Sequence, residues 1–435
     1  RRHTRSIAVT GVQTCALPIS STNTLSSNSF ILLMIPILFL VFVVAIKVFK
    51  KSSPNGKITV YLGKRDYVDH LTHTDSIDGV LVVDNDYLKG RKVFGQVNTT
   101  FRHGREDDEV MGLKFSKSLC LAKDQVYPVR DGVKLTDLQK KLVKKLGANA
   151  HPFTFAIPKN APTSVTIQGQ DSGKPMGVEY ELKAFVGESE DQKPHKRSSV
   201  SLAIRKVQFA PLERGRKQPS TLVSKGFTLS SGKINVEVTL DKDIYYHGEK
   251  IVANVNVNNN SKKSVKTIKV SVVQHCEVTM VNAQYTKQVA QIESKEGCPI
   301  TPGATLQKEF YLTPQAMTNK DKYGVALDGR LKDEDANLAS STLVADGHNP
   351  NDSTGIIVSY SVRVKLHCGA LGGEITADLP LKLMHPQPGT MDDEKIRAAK
   401  KTREIESSKM VRQQSEDAQI VFEDFKRQRT IDLED

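Results

Sequence analysis

Alternation at a period of two, repeated in run after run, is what most limits the folds open to this sequence. Ile58, Val60 and Leu62 alternate with Thr59, Tyr61 and Gly63. Val93, Gly95, Val97, Thr99 and Phe101 share one face of a second run. Val200, Leu202 and Ile204 do so in a third, and Ile234, Val236, Val238 and Leu240 in a fourth. In an extended strand this period sends one face into a core and the other outward. Further strand-like runs cover 153–157, 164–168, 177–186, 251–257, 265–274, 306–312, 356–366 and 374–384, with turn residues between them. Many short strands separated by turns predict an all-β chain built as antiparallel β-sandwiches.

One stretch keeps a different period. Leu135, Leu138, Leu142 and Leu146 recur at helical spacing, Gly147 closes the run, and Lys140, Lys141, Lys144 and Lys145 occupy the other face. This predicts one short amphipathic helix in the first half. Pro211 to Ser224 is rich in Gly, Pro and basic residues and reads as a linker. The expected organisation is a domain over 43–211, a hinge over 212–224, a second domain over 225–386 and a flexible tail over 387–435. Leu62 to Val83 and Leu240 to Val257 follow a similar order of strand, turn and Val-rich strand, which hints at two related sandwiches.

Two charges sit awkwardly in this pattern. If the alternation from Ile58 continues, Asp66 faces the apolar side, where a carboxylate costs several kcal/mol unless a cation meets it. Arg205 lies on a face shared with Ala203, Val207 and Phe209, the complementary problem. Its plain reading is a sheet-edge residue that snorkels. Basic residues crowd the same opening hairpin, at Lys50, Lys51, Lys64 and Arg65. Over 435 residues, 62 Lys and Arg against 49 Asp and Glu give a net charge of +13, which favours an anionic partner.

Other segments stand apart from the strand pattern. His103 to Gly112 is a polar loop with an acidic middle and an apolar tip at Val110 and Met111. Asn319 to Leu338 reads as a charged loop of unusual length carrying Asp328, Lys332 and Asp335. The tail becomes basic and polar after Pro386, then places Ile420, Phe422 and Phe425 among acids, as a docking segment over 418–429 would. The five cysteines are scattered and odd in number, and the histidines show no ligand spacing. A disulfide framework, a metal site and a cofactor are therefore not expected, and a reducing compartment is. With no Gly-rich phosphate loop, GxSxG or HExxH, an enzyme is not expected either.

Residues 1–19 resemble the translation of an adapter used in short-read DNA library preparation. Residues 1–42 are accordingly expected to be a non-native leader. Phe30 to Ile46 is an uncharged apolar run followed by Lys47, Lys50 and Lys51. Taken as a real membrane span, it supports a rival reading: a single-pass anchored protein with two immunoglobulin-like sandwiches. Asn98, Asn259 and Asn351 would then be glycan acceptors.

In order along the chain stand VFKKSSPNGKITVYLGKRDYVDH, HGREDDEVMGL, NAHPFTF, HKRSSVSLAIRKVQFAP, DIYYHGE, ALDGRLKDEDANLASST, GIIVSYSV, LMHPQPG and IVFEDFKRQR. Together these resemble an arrestin. EVMGLKFSK, FVGESED, VNAQYTK and EGCPITPG are most like the visual arrestins of arthropods. The resemblance covers about Val43 to Arg429. It implies two immunoglobulin-like sandwiches, a cytosolic location with recruitment to the photoreceptor membrane, and binding to active, phosphorylated G-protein-coupled receptors, here an opsin.

The resemblance also implies roles by residue. Asp66, Arg205, Asp328, Asp335 and Arg427 would form a buried polar core. Lys50, Lys51, Arg65, Lys144, Lys145 and Lys332 would meet receptor phosphates. The loop with Arg105, Glu106, Asp107, Asp108, Val110 and Met111 would enter the receptor. Ile420, Phe422 and Phe425 would dock against Leu138, Leu142 and Leu146. Phe422, Phe425 and Arg429 match a motif for the clathrin adaptor's appendage, whereas Thr430 to Glu434 departs from a clathrin box by its Thr. Lys262, Lys263, Lys266 and Lys269 resemble a phosphoinositide site, although a solvated basic strand explains them nearly as well.

Overall fold

The computed structural model describes residues 46–104, 115–129, 132, 134–169, 175–211, 217–228, 230–329, 337–343, 355–369, 372–387 and 420–424. The chain divides into two units, 1–43 and 44–435, and every described residue lies in the second.

The first half supplies β1 (Ile46–Ser52), β2 (Ile58–Leu62), β3 (Asp66–Asp69), β4 (Ile77–Val83), α1 (Asn85–Leu88), β5 (Lys92–Arg102) and β6 (Ser116–Tyr127). It continues with α2 (Asp137–Leu146), β7 (Ala150–Phe155), β8 (Val165–Ile167), β9 (Met176–Gly187) and β10 (Ser199–Gln208). The second half supplies β11 (Ser220–Phe227), β12 (Ser230–Leu240), β13 (Ile244–Tyr246), β14 (Ile251–Asn259) and β15 (Thr267–Val278). After these come β16 (Ala283–Ser294), β17 (Thr305–Leu312), β18 (Ala326–Asp328), β19 (Ile356–His367) and β20 (Glu374–Met384), and β21 (Ile420–Asp424) follows from the tail.

These strands form four sheets, two in each half. The first runs β21-β1-β2-β4-β7. The second contains β18-β8-β9-β10-β3, with β5 joining β9 to β6. The other two run β11-β12-β14-β17 and β13-β20-β19-β15-β16. Ile58, Val60 and Leu62 lie in one buried cluster with Val97, Leu182 and Leu202 of the facing sheet. Ile234, Val236 and Val238 are buried in the same way beside Val270, Val272 and Val362. The all-β expectation is met, and the alternating residues are the ones that make the core. The antiparallel expectation needs one amendment, because β21 on β1, β3 on β10 and β13 on β20 are parallel pairs.

Three boundaries differ from the sequence reading. The helix begins at Asp137, not Leu135, because the Thr136 side chain caps it and Gln139 returns the bond to the Thr136 amide. The linker is shorter than expected, since Ser220 to Ser224 already belongs to β11. The charged loop holds a strand, for Ala326, Leu327 and Asp328 pair with Ile167, Thr166 and Val165 of β8. A segment from the second half thus completes a sheet of the first, and it carries Asp328 with it.

Candidate functional site

The β1–β2 hairpin turns through Gly56, whose positive φ of 69° suits a residue without a side chain. It brings Lys50 opposite Tyr61 and Lys51 opposite Val60. Lys51 Nζ donates to the Ser201 carbonyl at 2.6 Å, which ties β1 across to β10.

The outer edge of β1 is covered by β21. The two run parallel, with Ile46 beside Ile420, Val48 beside Phe422 and Lys50 beside Asp424. Phe422 packs against Val48, Val80, Leu142 and Ala150, with Leu138 and Leu146 at the margin. Its ring meets Tyr61 edge-on at 5.3 Å between centroids. Lys145 Nζ lies 5.0 Å over the same ring, and Lys47 forms an ion pair with Glu423. Lys144 is exposed in the last turn of α2. Ile420 is placed by its backbone pairing, and Phe425, Arg427 and Arg429 lie outside the described residues.

The helix that receives Phe422 is fixed to its sheet by a residue the leucine spacing did not single out. Gln139 is fully buried, and its Nε2 donates to the carbonyls of Gly79 at 3.1 Å and Phe153 at 2.8 Å. The Thr-x-x-Gln capping signature was the available signal. Gly63 has a packing role here: a Cβ on it would lie 2.2 Å from a Leu138 methyl group.

Asp66 does not continue the β2 alternation. The strand breaks at Gly63 to Arg65, and Asp66 opens β3 in the opposite sheet, in register with Arg205. Arg205 Nε donates to Asp66 Oδ1 and Nη2 to Oδ2, both at 2.6 Å, the bidentate form of this pair. Nη1 donates to the Gly329 carbonyl at 3.2 Å. The pair is lopsided, with side-chain exposure of 11% for Arg205 and 44% for Asp66. The expected buried core is therefore buried at its arginine end and open at its aspartate end. Arg65 also differs from expectation. It is only 7% exposed, and its guanidinium sits 5.5 Å from the Phe49 ring, so its side chain is covered here rather than facing outward.

Asp328 is buried beside this pair. Its Oδ1 accepts from the Ser340 amide at 2.8 Å and its Oδ2 from the Ser340 hydroxyl at 3.1 Å. His385 Nε2 lies 2.5 Å from Oδ2, and His247 Nε2 lies 3.7 Å from it. Burial alone would raise the Asp328 pKa. The two imidazoles and the Ser340 amide outweigh it and hold the carboxyl below its usual value. Neither histidine was singled out from the sequence, where His247 and His385 are far apart. The fold gathers His247, Asp328 and His385 into a set with metal-ligating atoms, which the search for ligand spacing could not reveal. Asp335 and Lys332 lie outside the described residues, as does the loop from Arg105 through Glu106, Asp107, Asp108 and Val110 to Met111.

A second cation was missed next to Arg205. Lys206 is fully buried, and its Nζ meets Asp69 at 2.9 Å and the Lys159 carbonyl at 3.1 Å. Adjacent cations on β10 thus serve separate carboxylates. Of the basic cluster in the second half, Lys262 and Lys266 are exposed, while Lys263 and Lys269 are half-buried. Asn259 is fully buried, with its amide donating to the Lys263 and Ile300 carbonyls, which leaves no room for a glycan. Burial raises the thiols of Cys276, to about 12, and of Cys298 and Cys368, so none of these is poised as a nucleophile. No helix among the described residues is long and apolar enough to cross a membrane, and Phe30 to Ala45 lies outside them.

The sequence model of the arrestin (or S-antigen) N-terminal domain matches residues 58–210, and that of the arrestin C-terminal domain matches 230–388. The chain is 62% identical over 402 residues to the arrestin homolog of Locusta migratoria, covering 91% of this chain and 99% of that one. It is 60% identical over 392 residues to phosrestin-1 of Drosophila melanogaster, covering 89% and 98%. To the lateral eye arrestin of Limulus polyphemus it is 57% identical over 399 residues, covering 91% and 98%. Both domain models fall on the two halves seen in the fold, and the likeness extends through nearly the whole length of these relatives: the chain belongs to the arrestin family.

Proposed function

We propose that this protein binds the active, phosphorylated form of a G-protein-coupled receptor, an opsin of the photoreceptor membrane, and ends its signalling by occupying the surface a G protein needs. It works by binding, and no bond is made or broken. The observation that carries this reading is the seat of β21 on β1. An acidic strand covers a basic one, with Lys50 in register with Asp424 and Lys145 over Phe422.

A receptor phosphate brings about −1.5 to −2 charges and several strong acceptor oxygens. A phosphorylated segment arriving at Lys50, Lys51 and Lys145 competes with the tail at Lys50 and Lys145 and with the Ser201 carbonyl at Lys51. Lys144 and Lys332 assist, and Arg65 joins once Phe49 moves. Departure of the tail takes Arg427 from the polar core, which biases Asp66, Arg205, Asp328 and Asp335 toward an open arrangement. The loop at Arg105 to Met111 then enters the receptor's cytoplasmic cavity. The protein works from the cytoplasm and is recruited to the membrane by its receptor. The released Phe422, Phe425 and Arg429 are free to meet a clathrin adaptor, and Lys262, Lys263, Lys266 and Lys269 meet phosphoinositide headgroups.

Co-sedimentation with photoreceptor membranes tests the reading in four states: dark or illuminated, phosphorylated or dephosphorylated. The illuminated, phosphorylated membranes should retain the most protein. Equal retention in all four would overturn it.

A further inference from the structure

We propose that His247, His385 and Asp328 form a binding site for a divalent transition-metal ion of the zinc class, and that the bound ion clamps β18, which completes a sheet of the first half, to β13 and β20 of the second. This goes beyond receptor recognition and is tested without a receptor, though Asp328 also belongs to the proposed polar core. The ligating atoms of the three side chains all lie within 4.8 Å of one another. Two imidazole nitrogens and one carboxylate oxygen are a donor set that suits zinc and not magnesium or calcium, which favour all-oxygen shells.

The distances need little adjustment. Zinc bonds of about 2.0–2.2 Å in a tetrahedron set ligand atoms about 3.3–3.6 Å apart. His247 Nε2 and Asp328 Oδ2 are 3.7 Å apart. His385 Nε2 and Asp328 Oδ2, at 2.5 Å, must open by roughly 1 Å to admit the ion. Ser340 Oγ lies 3.0 Å from His247 Nε2 and 3.1 Å from Asp328 Oδ2, at the place of a fourth ligand or of a group orienting a water. The Ser340 amide already holds Asp328 Oδ1 at 2.8 Å, the kind of outer hydrogen bond that fixes a ligating carboxylate. Side-chain exposure is 9% for His247 and 19% for His385, which leaves a narrow way in from solvent.

The three ligands come from different places. Asp328 ends β18, which completes the sheet of the first half through β8. His247 follows β13 and His385 follows β20, both in the second half. The His385 carbonyl accepts from the Ala210 amide at 2.8 Å, at the entry to the linker. An ion shared by these side chains therefore opposes separation of β18 from β13 and β20.

The test uses the full chain, stripped of metal and titrated with zinc chloride against a chromogenic chelator. One equivalent should bind, and saturation should raise the melting temperature. His247→Gln and His385→Gln should each weaken binding by at least about tenfold, whereas His195→Gln, an exposed control, should not change it. Cobalt on the unmutated chain gives a second readout that does not depend on variants folding. Visible bands of four-coordinate cobalt without thiolate charge transfer support the site. No stoichiometric binding, equal affinity in His385→Gln, or a thiolate signature would overturn it.

Discussion

Arg205 grips Asp66 through two hydrogen bonds of 2.6 Å, and its third nitrogen reaches the carbonyl of Gly329, the residue after Asp328. One side chain therefore links β3, β10 and the returning segment of the second half. Arg205→Glu would set a carboxylate against Asp66 at a place buried on the Arg205 side and open on the Asp66 side, costing about 1–3 kcal/mol, less than for a fully buried pair. The cost falls on the closed arrangement. This variant should bind illuminated opsin whether or not the opsin is phosphorylated. Phosphate dependence as strong as in the parent, measured by co-sedimentation, would remove Arg205 from the switch.

The neighbouring Lys206 serves stability instead. Its ammonium is fully buried against Asp69 and two carbonyls. Lys206→Met would leave Asp69 with a lone backbone donor, from Leu71 at 2.9 Å, among its described hydrogen bonds. Destabilisation of about 3–5 kcal/mol is expected, and Lys206→Met with Asp69→Leu should recover a large part of it. Urea unfolding of the three variants measures this. A single change costing under about 1 kcal/mol would mean that the pair is not desolvated.

Much of this was legible in the residues, and the gaps have physical causes. The β1–β2 hairpin and the faces of β2, β5, β10 and β12 follow from alternation, because one buried face imposes a period of two. The Asp66–Arg205 partnership is implied by the resemblance, while the alternation argument that puts Asp66 on an apolar face is faulty. Continuous parity from Ile58 to Asp66 ignores the break between β2 and β3 at Gly63 to Arg65. β18 escaped notice because three residues are too few to show a period, and its hydrogen-bond partners lie some 160 positions away in β8. The histidines around Asp328 carry no spacing signal, since they are far apart in the sequence and meet through the pairing of β13 with β20. The covering of Arg65 by Phe49 is likewise tertiary, and no local pattern encodes it.

Lys50 and Lys51 differ in the contacts they make. Lys51 reaches the Ser201 carbonyl, whereas Lys50 stands in register with Asp424 of the tail. Lys50→Ala with Lys51→Ala should weaken binding to phosphorylated, illuminated membranes by about tenfold or more, in keeping with charge-assisted bonds of 1.5–3 kcal/mol each. Binding to dephosphorylated membranes should change little. Equal retention of parent and variant on phosphorylated membranes would sink the sensor role.

Phe422 is the side chain that seats the tail. It is half-buried, so its apolar contact is worth about 1–2 kcal/mol, less than a fully buried ring. Phe422→Ala should speed hydrogen exchange along β1 by roughly five- to thirtyfold and lower the need for receptor phosphate. Exchange at β1 that stays at the parent rate would show that backbone pairing holds the strand without the ring.

The pH dependence of stability has a definite sign over the histidine range. Burial lowers the pKa of His151, and burial together with Arg363 lowers that of His275. His151 Nε2 is buried and lacks a hydrogen-bond partner among the described residues, so a second proton there would be unsatisfied. Below the ordinary value of about 6.5, the unfolded chain takes up protons that the folded chain refuses. Stability from these groups is therefore full above about pH 6.5 and falls as the pH drops toward their folded pKa values. His151→Gln removes one of the two titrations and should flatten the fall in melting temperature between about pH 6.5 and 5. A slope as steep as the parent's would show that His151 takes up its proton equally in both states.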